Sequence, residues 1–352
     1  MMTHRQRFMA ALDGTPLDRA PVFPLLMFLA ADRAGLTYRE YATDGRGLAE
    51  AQLLVQERFD LDAITVCSDA FRVPADLGGD MAYPEERTPY LRQPLVTTGA
   101  DLDKLGHPDP TAKGSRMADR LLAVAELNRA VAGQVPVVGW VEMPFAEACS
   151  LCGLTEFMLL LMDEPALAHQ VLAHATAINI EFALAQLQVG ADMIGAGDAA
   201  TSLIGAAMYA EFALPYEQQV CQAIHQAGGQ VKLHVCGNTT HLLAQMATCG
   251  ADLSNVDHLV SLNKARDAYT AQGKCYKGNL DPVSQIMQAS PEHCQELAYG
   301  CLALAQGTHY MLSAGCEIPA ATPDEVLRAF CDAPRTFDSS TRLPAGSSQP
   351  KR

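Results

Sequence analysis

The feature that most constrains this chain is a regular alternation of short apolar runs with longer helical stretches. An unbroken apolar run of about four to eight residues is typical of a buried strand, whereas apolar residues spaced three and four apart are typical of an amphipathic helix. Two strands joined by a helix pair in parallel, because the helix returns the chain across the face of the sheet. The alternation therefore predicts an α/β protein with a parallel sheet.

About eight runs have the pattern of strands, and helices separate most of them. The predicted strands are 21–27, 63–66, 135–141, 192–194, 230–236, 252–256, 274–277 and 309–313. The predicted helices are 4–12, 48–59, 116–132, 154–162, 165–189, 208–226, 240–248, 291–304 and 323–330. No glycine-rich dinucleotide loop follows the first strand, so the pattern favours a (β/α)8 TIM barrel over an open, doubly wound sheet.

The chain has 352 residues, a length that α/β barrels reach as one domain. We predict a single-domain barrel over residues 1–331, with helix 4–12 closing its floor. Region 73–108 is dense in proline, glycine and charge, which indicates an irregular insertion or short hairpins that form a wall of the site. Region 332–352 is rich in serine, proline and threonine and is predicted to be a disordered tail.

Charge and apolar content exclude several classes of function. The formal net charge of −15 argues against a nucleic-acid partner, because phosphates require clustered lysine and arginine. The longest apolar run, 21–31, contains two prolines and is shorter than the roughly 20 residues that span a membrane. The eleven cysteines lack a disulfide framework spacing, and the N-terminus lacks a signal-peptide pattern. We therefore expect reduced thiols and a cytoplasmic location.

Polar side chains interrupt the apolar runs mainly at their carboxyl ends. These residues are Asp69, Glu142, Asp198, His234, Cys236, Asp257, Asn279, Asp281 and Cys316. In a barrel the carboxyl ends of all strands meet at one mouth, where catalytic residues lie. The sequence therefore predicts a site at this mouth.

The sequence 230–238 ends an apolar strand with His234 and Cys236. Residues i and i+2 of a strand project from the same face, so the imidazole and the thiol point to one place, where they can bind a metal such as zinc. Two ligands do not hold zinc tightly. Cys316 is the strongest candidate for the third, because it too follows an apolar run and a glycine.

Simpler interpretations stand beside these. Most of the other cysteines are expected to be small core residues: Cys67, Cys149, Cys152, Cys221, Cys249, Cys275 and Cys301. Alternatively, His234 and Cys236 are simply a hydrogen-bonded polar pair at a strand end. Likewise, the carboxylates of Glu142 and Asp198 would only cap the next helix.

Several motifs together resemble one family. They are Leu-His-Val-Cys-Gly-Asn-Thr at 233–239, Lys-Gly-Asn-Leu-Asp-Pro at 277–282, Gly-Asp-Ala-Ala-Thr-Ser at 197–202, Phe-Ala-Leu-Pro-Tyr at 212–216 and Gly-Cys-Glu-Ile-Pro-Ala-Ala-Thr-Pro-Asp at 315–324. The chain resembles the uroporphyrinogen decarboxylase superfamily over most of its length, and within it the zinc-dependent corrinoid methyltransferases. The resemblance implies a (β/α)8 barrel with zinc bound by His234, Cys236 and Cys316.

The chain departs from the decarboxylase branch in one segment. True decarboxylases carry an arginine-rich segment after the first strand that holds the substrate carboxylates, whereas segment 27–36 here has one arginine, Arg33. Eight carboxylates would remain mostly unpaired. Function as a uroporphyrinogen decarboxylase, or as a non-catalytic relative with a structural zinc, is therefore ranked behind both directions of methyl transfer, as the second alternative.

The resemblance implies methyl transfer between a corrinoid, carried by a small partner protein, and a small substrate at zinc. A thiol such as coenzyme M is favoured, because two cysteine ligands make zinc a weak Lewis acid. The alternative is the reverse direction, demethylation of a methoxylated or methylated compound. Glu142 and Asp198 are predicted to act in catalysis, one of them near the fourth zinc position. Substrate or cofactor binding is predicted for Asp69, Asn238, Asp257 and Asn279.

Overall fold

The computed structural model describes residues 2–338. The strands are β1 Ile64–Thr65, β2 Met81–Ala82, β3 Tyr90–Leu91, β4 Val137–Glu142, β5 Met193–Gly197, β6 Gln230–Val235, β7 Leu253–Val256, β8 Cys275–Leu280 and β9 Tyr310–Ala314. Seven of them form one sheet in the order β1-β4-β5-β6-β7-β8-β9, and every neighbouring pair in it is parallel. The predicted parallel α/β architecture is confirmed.

The irregular segment 21–27 closes the sheet into a barrel. The Phe23 N–H donates to the Leu312 carbonyl over 3.0 Å, which attaches this segment to β9. On its other side, the Asp62 N–H donates to the Val22 carbonyl over 2.9 Å, just before β1 begins. The segment therefore fills the eighth position of a (β/α)8 barrel. It is not the regular strand predicted over 21–27, because Pro21 and Pro24 have no N–H to donate to a strand ladder.

Sixteen α-helices lie within the described residues. They are α1 His4–Asp13, α2 Phe28–Arg33, α3 Tyr38–Thr43, α4 Gly45–Phe59, α5 Arg72–Asp76, α6 Gly99–Leu102, α7 Arg116–Val131, α8 Pro144–Cys152, α9 Leu154–Asp163, α10 Pro165–Gln188, α11 Ala206–Phe212, α12 Leu214–Gln226, α13 Leu243–Met246, α14 Leu262–Thr270, α15 Pro291–Leu304 and α16 Asp324–Thr336. A 3-10 helix covers Ala199–Leu203 and a π-helical turn covers Pro282–Met287. Ser115 and Ser290 start α7 and α15 by accepting a backbone N–H of the first turn.

The floor of the barrel is a separate apolar cluster beneath α1. Phe8 and Leu12 of this helix pack against buried residues near the amino ends of the strands. The strand residues in this cluster are Val138, Met193, Leu253, Cys275 and Met311. Helix α1 therefore closes the amino end of the barrel, as predicted, and leaves the carboxyl ends of the strands as the open mouth.

The region 73–108 contains little regular structure, in agreement with its composition. It includes the antiparallel hairpin of β2 with β3 and the short helix α6. The closing helix α16 is longer than the predicted 323–330, because Cys331, Ala333 and Pro334 in its last turns are buried and extend its packed face. The tail predicted from 332 therefore overlaps the end of this helix, and 339–352 lie outside the described residues.

Within residues 2–338, no single helix is long and apolar enough to cross a membrane. The bent pair α8 and α9, whose axes differ by 106°, passes the same test of length and composition when the two are taken together. Gly153 occupies the bend with a φ of +87°, a left-handed conformation that favours glycine.

Candidate metal centre

Three side chains from two distant parts of the chain converge at the barrel mouth. His234 lies near the end of β6, Cys236 follows that strand, and Cys316 follows β9. The Cys236 Sγ lies 3.1 Å from His234 Nε2 and 3.3 Å from Cys316 Sγ. The Cys316 Sγ lies 3.6 Å from His234 Nε2. The structure thus brings together the three residues predicted to bind metal.

The three donor atoms have a spacing that suits zinc. Tetrahedral zinc, with bonds of roughly 2.0 to 2.3 Å, holds its ligands about 3.5 Å apart. All three donor atoms lie within 4.8 Å of one another. The hydrogen bond with Cys236 lowers the pKa of Cys316, while the same contact, together with burial, raises the pKa of Cys236.

A cavity of about 570 Å³ opens beside this cluster. Cys236 and Gly237 form one side, and the apolar wall includes Phe71, Leu91 and Leu154. The polar residues of the lining are Gln93, Glu142, Cys149, Ser150, Ser202 and Cys236. Leu91 belongs to the hairpin of region 73–108, so the insertion forms a wall of the cavity, as the sequence suggested.

Glu142, at the end of β4, is the carboxylate that lines this cavity. Its Oε1 accepts hydrogen bonds from Trp140 Nε1 over 3.0 Å and from Arg72 over 3.1 Å. Burial raises the pKa of Glu142 to about 7, although Arg72 opposes this shift. A Cβ at Gly197 would lie 2.5 Å from Glu142 Oε2, so glycine at this position leaves room for the carboxylate.

Asp198 lies behind the cavity and is not part of its lining. Its Oδ1 accepts the Ala146 N–H over 2.9 Å, near the start of α8. Burial raises the pKa of Asp198 well above its usual range, and the adjacent Glu217 raises it further. Tyr209 donates a hydrogen bond to Glu217 from the other side. The structure therefore places Asp198 in a buried carboxyl pair that supports the wall.

The carboxylate of Asp69 accepts hydrogen bonds from other groups of the protein. Its two oxygens accept hydrogen bonds of 2.8 Å each from the Arg116 guanidinium, and Ser68 donates to one of them over 2.7 Å. Its Oδ1 also accepts the Phe71 N–H over 2.9 Å. Although Asp69 follows a barrel strand as predicted, these contacts use its carboxylate to fix the loop that carries Phe71.

The remaining predicted binding residues surround the loop after Cys236. Asp257 Oδ2 accepts the Gly237 N–H over 3.0 Å. Asn279 donates to the carbonyls of Asp257 over 3.1 Å and Val260 over 2.6 Å. Asn238 is exposed, and its side chain accepts a hydrogen bond from a nearby backbone N–H in the same loop. Among the described residues that line the cavity, none is one of these three.

Sequence reasoning missed several charged residues inside the barrel. Lys232 and Lys277 are fully buried in strands β6 and β8, and burial lowers the pKa of both amines, to about 8 for Lys232. Glu317 accepts the N–H groups of Met27 and Phe28, and burial raises its pKa to about 8. The lysines within the apolar strands were the sequence signal for these buried charges, because a lysine is rarely fully buried unless it has a partner.

The seven cysteines predicted to be core residues are all buried. Burial raises the pKa of Cys275 and Cys149, which keeps these thiols protonated near neutral pH. Cys149 also lines the cavity through its position on α8. The cysteines of the metal cluster are only partly buried, which separates them from this core set.

Comparisons with known proteins agree with this architecture. A uroporphyrinogen decarboxylase of Xanthomonas campestris pv. campestris is 29% identical to the chain over 357 aligned positions, covering 92% of this chain and 96% of that protein. A protein named methylcobamide:CoM methyltransferase MtbA of Methanosarcina acetivorans is 26% identical and covers 95% of this chain and 98% of its own length. A solved methyltransferase from Methanosarcina mazei has the same fold, with a TM-score of 0.87, 24% identity, and coverage of 96% and 99%. The model of the uroporphyrinogen decarboxylase (URO-D) family matches residues 3–337, so the chain belongs to this family.

Proposed function

We propose that this chain is a zinc-dependent methyltransferase that moves a methyl group between a corrinoid and a small substrate. The corrinoid is carried by a partner protein, and the reacting atom of the substrate is held at the metal. The observation that carries the proposal is the convergence of His234, Cys236 and Cys316 at the barrel mouth, beside a cavity of about 570 Å³.

The ligand set suits a catalytic rather than a structural zinc. Structural zinc normally has four protein ligands, whereas catalytic zinc has three and an open position. Among the described residues, the cluster contains only three groups that can coordinate a metal. When bound, zinc would supply the charge that deprotonates a thiol or polarises a leaving heteroatom. Two cysteine ligands reduce its Lewis acidity, so we favour the thiol direction.

In that direction the overall reaction converts a thiol and a methyl-cobalt(III) corrinoid to a methyl thioether, a cobalt(I) corrinoid and one proton. Glu142 is the group of this chain best placed to take the proton from the thiol and pass it on to solvent, because it lines the cavity and burial raises its pKa to about 7. Trp140 and Arg72 hold its carboxylate in one orientation. Asp198 acts as a positioning residue, since it holds the start of α8 from behind.

We propose that a separate protein delivers the corrinoid. The chain contains no Asp-x-His-x-x-Gly segment of the kind that holds a corrinoid. The name of the Methanosarcina acetivorans relative states that it acts on a methylcobamide. The first observation supports a partner protein that presents the cobalt at the mouth of the barrel, and the second supports a corrinoid as the methyl carrier. Demethylation of a methylated compound would use the same arrangement in reverse.

Decarboxylation of a porphyrinogen has weaker support. Arg33 is the single arginine in segment 27–36, and its guanidinium donates to Asp324 over 2.8 Å and to the Thr322 carbonyl over 2.7 Å. These contacts attach α2 to the start of α16 and use the arginine for folding. A substrate with eight carboxylates would have little positive charge to bind at this mouth.

The proposal is tested by mixing zinc-loaded protein with methylcobalamin and a thiol in the absence of oxygen. We expect the methyl-cobalt absorbance to disappear faster than in the protein-free mixture, with formation of cob(I)alamin and the methyl thioether. His234→Ala should abolish the difference. Conversion of uroporphyrinogen to coproporphyrinogen at enzymatic rates would contradict the proposal, and methylation of cob(I)alamin by a methyl ether alone would reverse its direction.

A further inference from the structure

The cavity beside the metal cluster lacks cationic side chains. Within the described part of the chain, no lysine or arginine is among its lining residues, and Glu142 is its only charged group. Most of the surrounding surface comes from small or apolar side chains such as Phe71, Leu91, Ala199 and Leu203. An anionic substrate would therefore meet a carboxylate and apolar walls.

Three arginines near this wall lie beside carboxylates, and two of them form well-packed pairs. Arg72 donates to Glu142 over 3.1 Å and is buried. Arg116 forms the two-pronged pair with Asp69, with nitrogen–oxygen distances of 2.8 Å. Arg92 lies on the hairpin beside Leu91, and its side chain is exposed and 3.5 Å from Asp80. Releasing Arg72 or Arg116 to bind a substrate would leave a buried carboxylate without its partner.

The two buried lysines are also directed elsewhere. The Lys277 Nζ donates to the Phe23 carbonyl and lies 4.0 Å from the centre of the Phe23 ring. The Lys232 Nζ lies 4.6 Å from the centre of the Trp140 ring. Both amines therefore face aromatic rings in the barrel interior, and neither residue is part of the cavity lining.

We infer that the substrate held at this site has an uncharged, predominantly apolar body that fills the cavity next to Cys236. The volume of about 570 Å³ lies within the range of small-molecule sites and exceeds what a two-carbon thiol needs. Placing an unpaired anion here would remove its hydration without replacing it. The inference rests on the proposed function, because it assigns the cavity to the substrate of that reaction. It sets this chain apart from relatives named for coenzyme M, whose sulfonate is anionic.

A matched pair of thiols tests the inference. In 3,3-dimethylbutane-1-thiol a tert-butyl group replaces the sulfonate of 2-mercaptoethanesulfonate, so the two match in shape but differ in the charge and polarity of that end. Calorimetric titration of zinc-loaded protein near pH 7 should give at least about tenfold tighter binding of the uncharged thiol. The small uncharged thiol 2-mercaptoethanol, titrated in parallel, reports whether the site accepts a thiol at all, through release of a proton.

A gain-of-charge variant provides a second measurement. Gln93 is exposed and lines the cavity, so Gln93→Arg adds a cation to the wall with little risk to folding. It should tighten binding of 2-mercaptoethanesulfonate by about threefold, the effect of a partly exposed charge pair. Gln272→Arg is the matched control, because this exposed residue precedes β8 at the opposite end of the barrel. It should leave both affinities unchanged.

The outcomes separate the inference from the proposed function. Proton release by 2-mercaptoethanol together with equal or tighter binding of the sulfonate would overturn the inference and leave the methyltransferase proposal standing. A Gln93→Arg variant that binds the sulfonate no better than Gln272→Arg would also count against an occupied cavity. Failure of every thiol to release a proton would overturn both the thiol chemistry and the inference.

Discussion

The Cys236 Sγ lies 3.3 Å from the Cys316 Sγ, although 80 residues separate the two cysteines in the sequence. Strands β7 and β8 lie between β6 and β9 in the sheet. The contact exists because β6 and β9 end at the same mouth of the barrel. His234 completes the cluster from within β6.

The first prediction concerns the third ligand. Wild-type protein should retain about one zinc per chain after gel filtration with a weak chelator. Loss of a residue that merely orients a ligand already lowers metal affinity about 10- to 100-fold, so Cys316→Ser should lower it further and leave the protein largely without metal. Elemental analysis measures this directly.

Cys301→Ser is the control for this measurement, because Cys301 is a buried cysteine of α15 outside the cluster. It should retain about one zinc per chain. Full and tight zinc binding by Cys316→Ser would remove Cys316 from the site.

The second prediction concerns Glu142, whose pKa is raised by burial from 4.5 to about 7. The folded protein therefore binds a proton that the unfolded chain releases between these two values. The stability that this proton contributes is present below pH 4.5 and is lost as the pH rises through about 7. Relative to Glu142→Gln, which cannot ionise, wild type should lose about 1 to 3 kcal/mol between pH 5 and pH 8.

Urea unfolding of both proteins at the two pH values measures this difference. A stability difference between variant and wild type that is the same at pH 5 and pH 8 would show that Glu142 is ionised in the fold throughout. Glu142 would then be unsuited to accept a proton near neutral pH.

The third prediction separates a structural role from a binding role for Asp69. Asp69→Ala leaves the mostly buried Arg116 without its partner and should cost about 3 to 5 kcal/mol in unfolding free energy. Asp80→Ala breaks an exposed pair with Arg92 and should cost about 1 kcal/mol or less. Zinc content should remain near one per chain in both. A stable Asp69→Ala protein with weakened substrate binding would instead favour the binding role first predicted for this residue.

Much of the fold follows from sequence because hydrophobic periodicity reports directly on burial. The strands of the sheet begin within a few residues of their predicted positions, and helix α1 closes the floor. The prediction of a regular strand over 21–27 was wrong, because the prolines at 21 and 24 interrupt hydrogen bonding while the apolar pattern continues. Helix α16 was predicted too short because the chain from 332 was assigned to a tail by its serine, proline and threonine content, whereas the helix continues through Pro334.

The site was only partly predictable. The spacing of His234 and Cys236 carries its own geometric meaning, because alternate residues of a strand share a face. The roles of Asp69 and Asp257 depend on partners that lie elsewhere in the fold, Arg116 for one and the Gly237 N–H for the other. Sequence position placed these carboxylates at the mouth, but their hydrogen bonds to the protein were set by tertiary contacts.

The measurement that tests the central claim most directly is the count of protons released when a thiol binds. A free thiol has a pKa near 8.5 and is mostly protonated at pH 7, whereas a zinc-bound thiol is deprotonated. Adding 2-mercaptoethanol to zinc-loaded protein in weak buffer should release close to one proton per zinc, and metal-free protein or Cys236→Ser should release almost none. If no thiol releases a proton from the zinc-loaded protein, thiol activation at His234, Cys236 and Cys316 is contradicted.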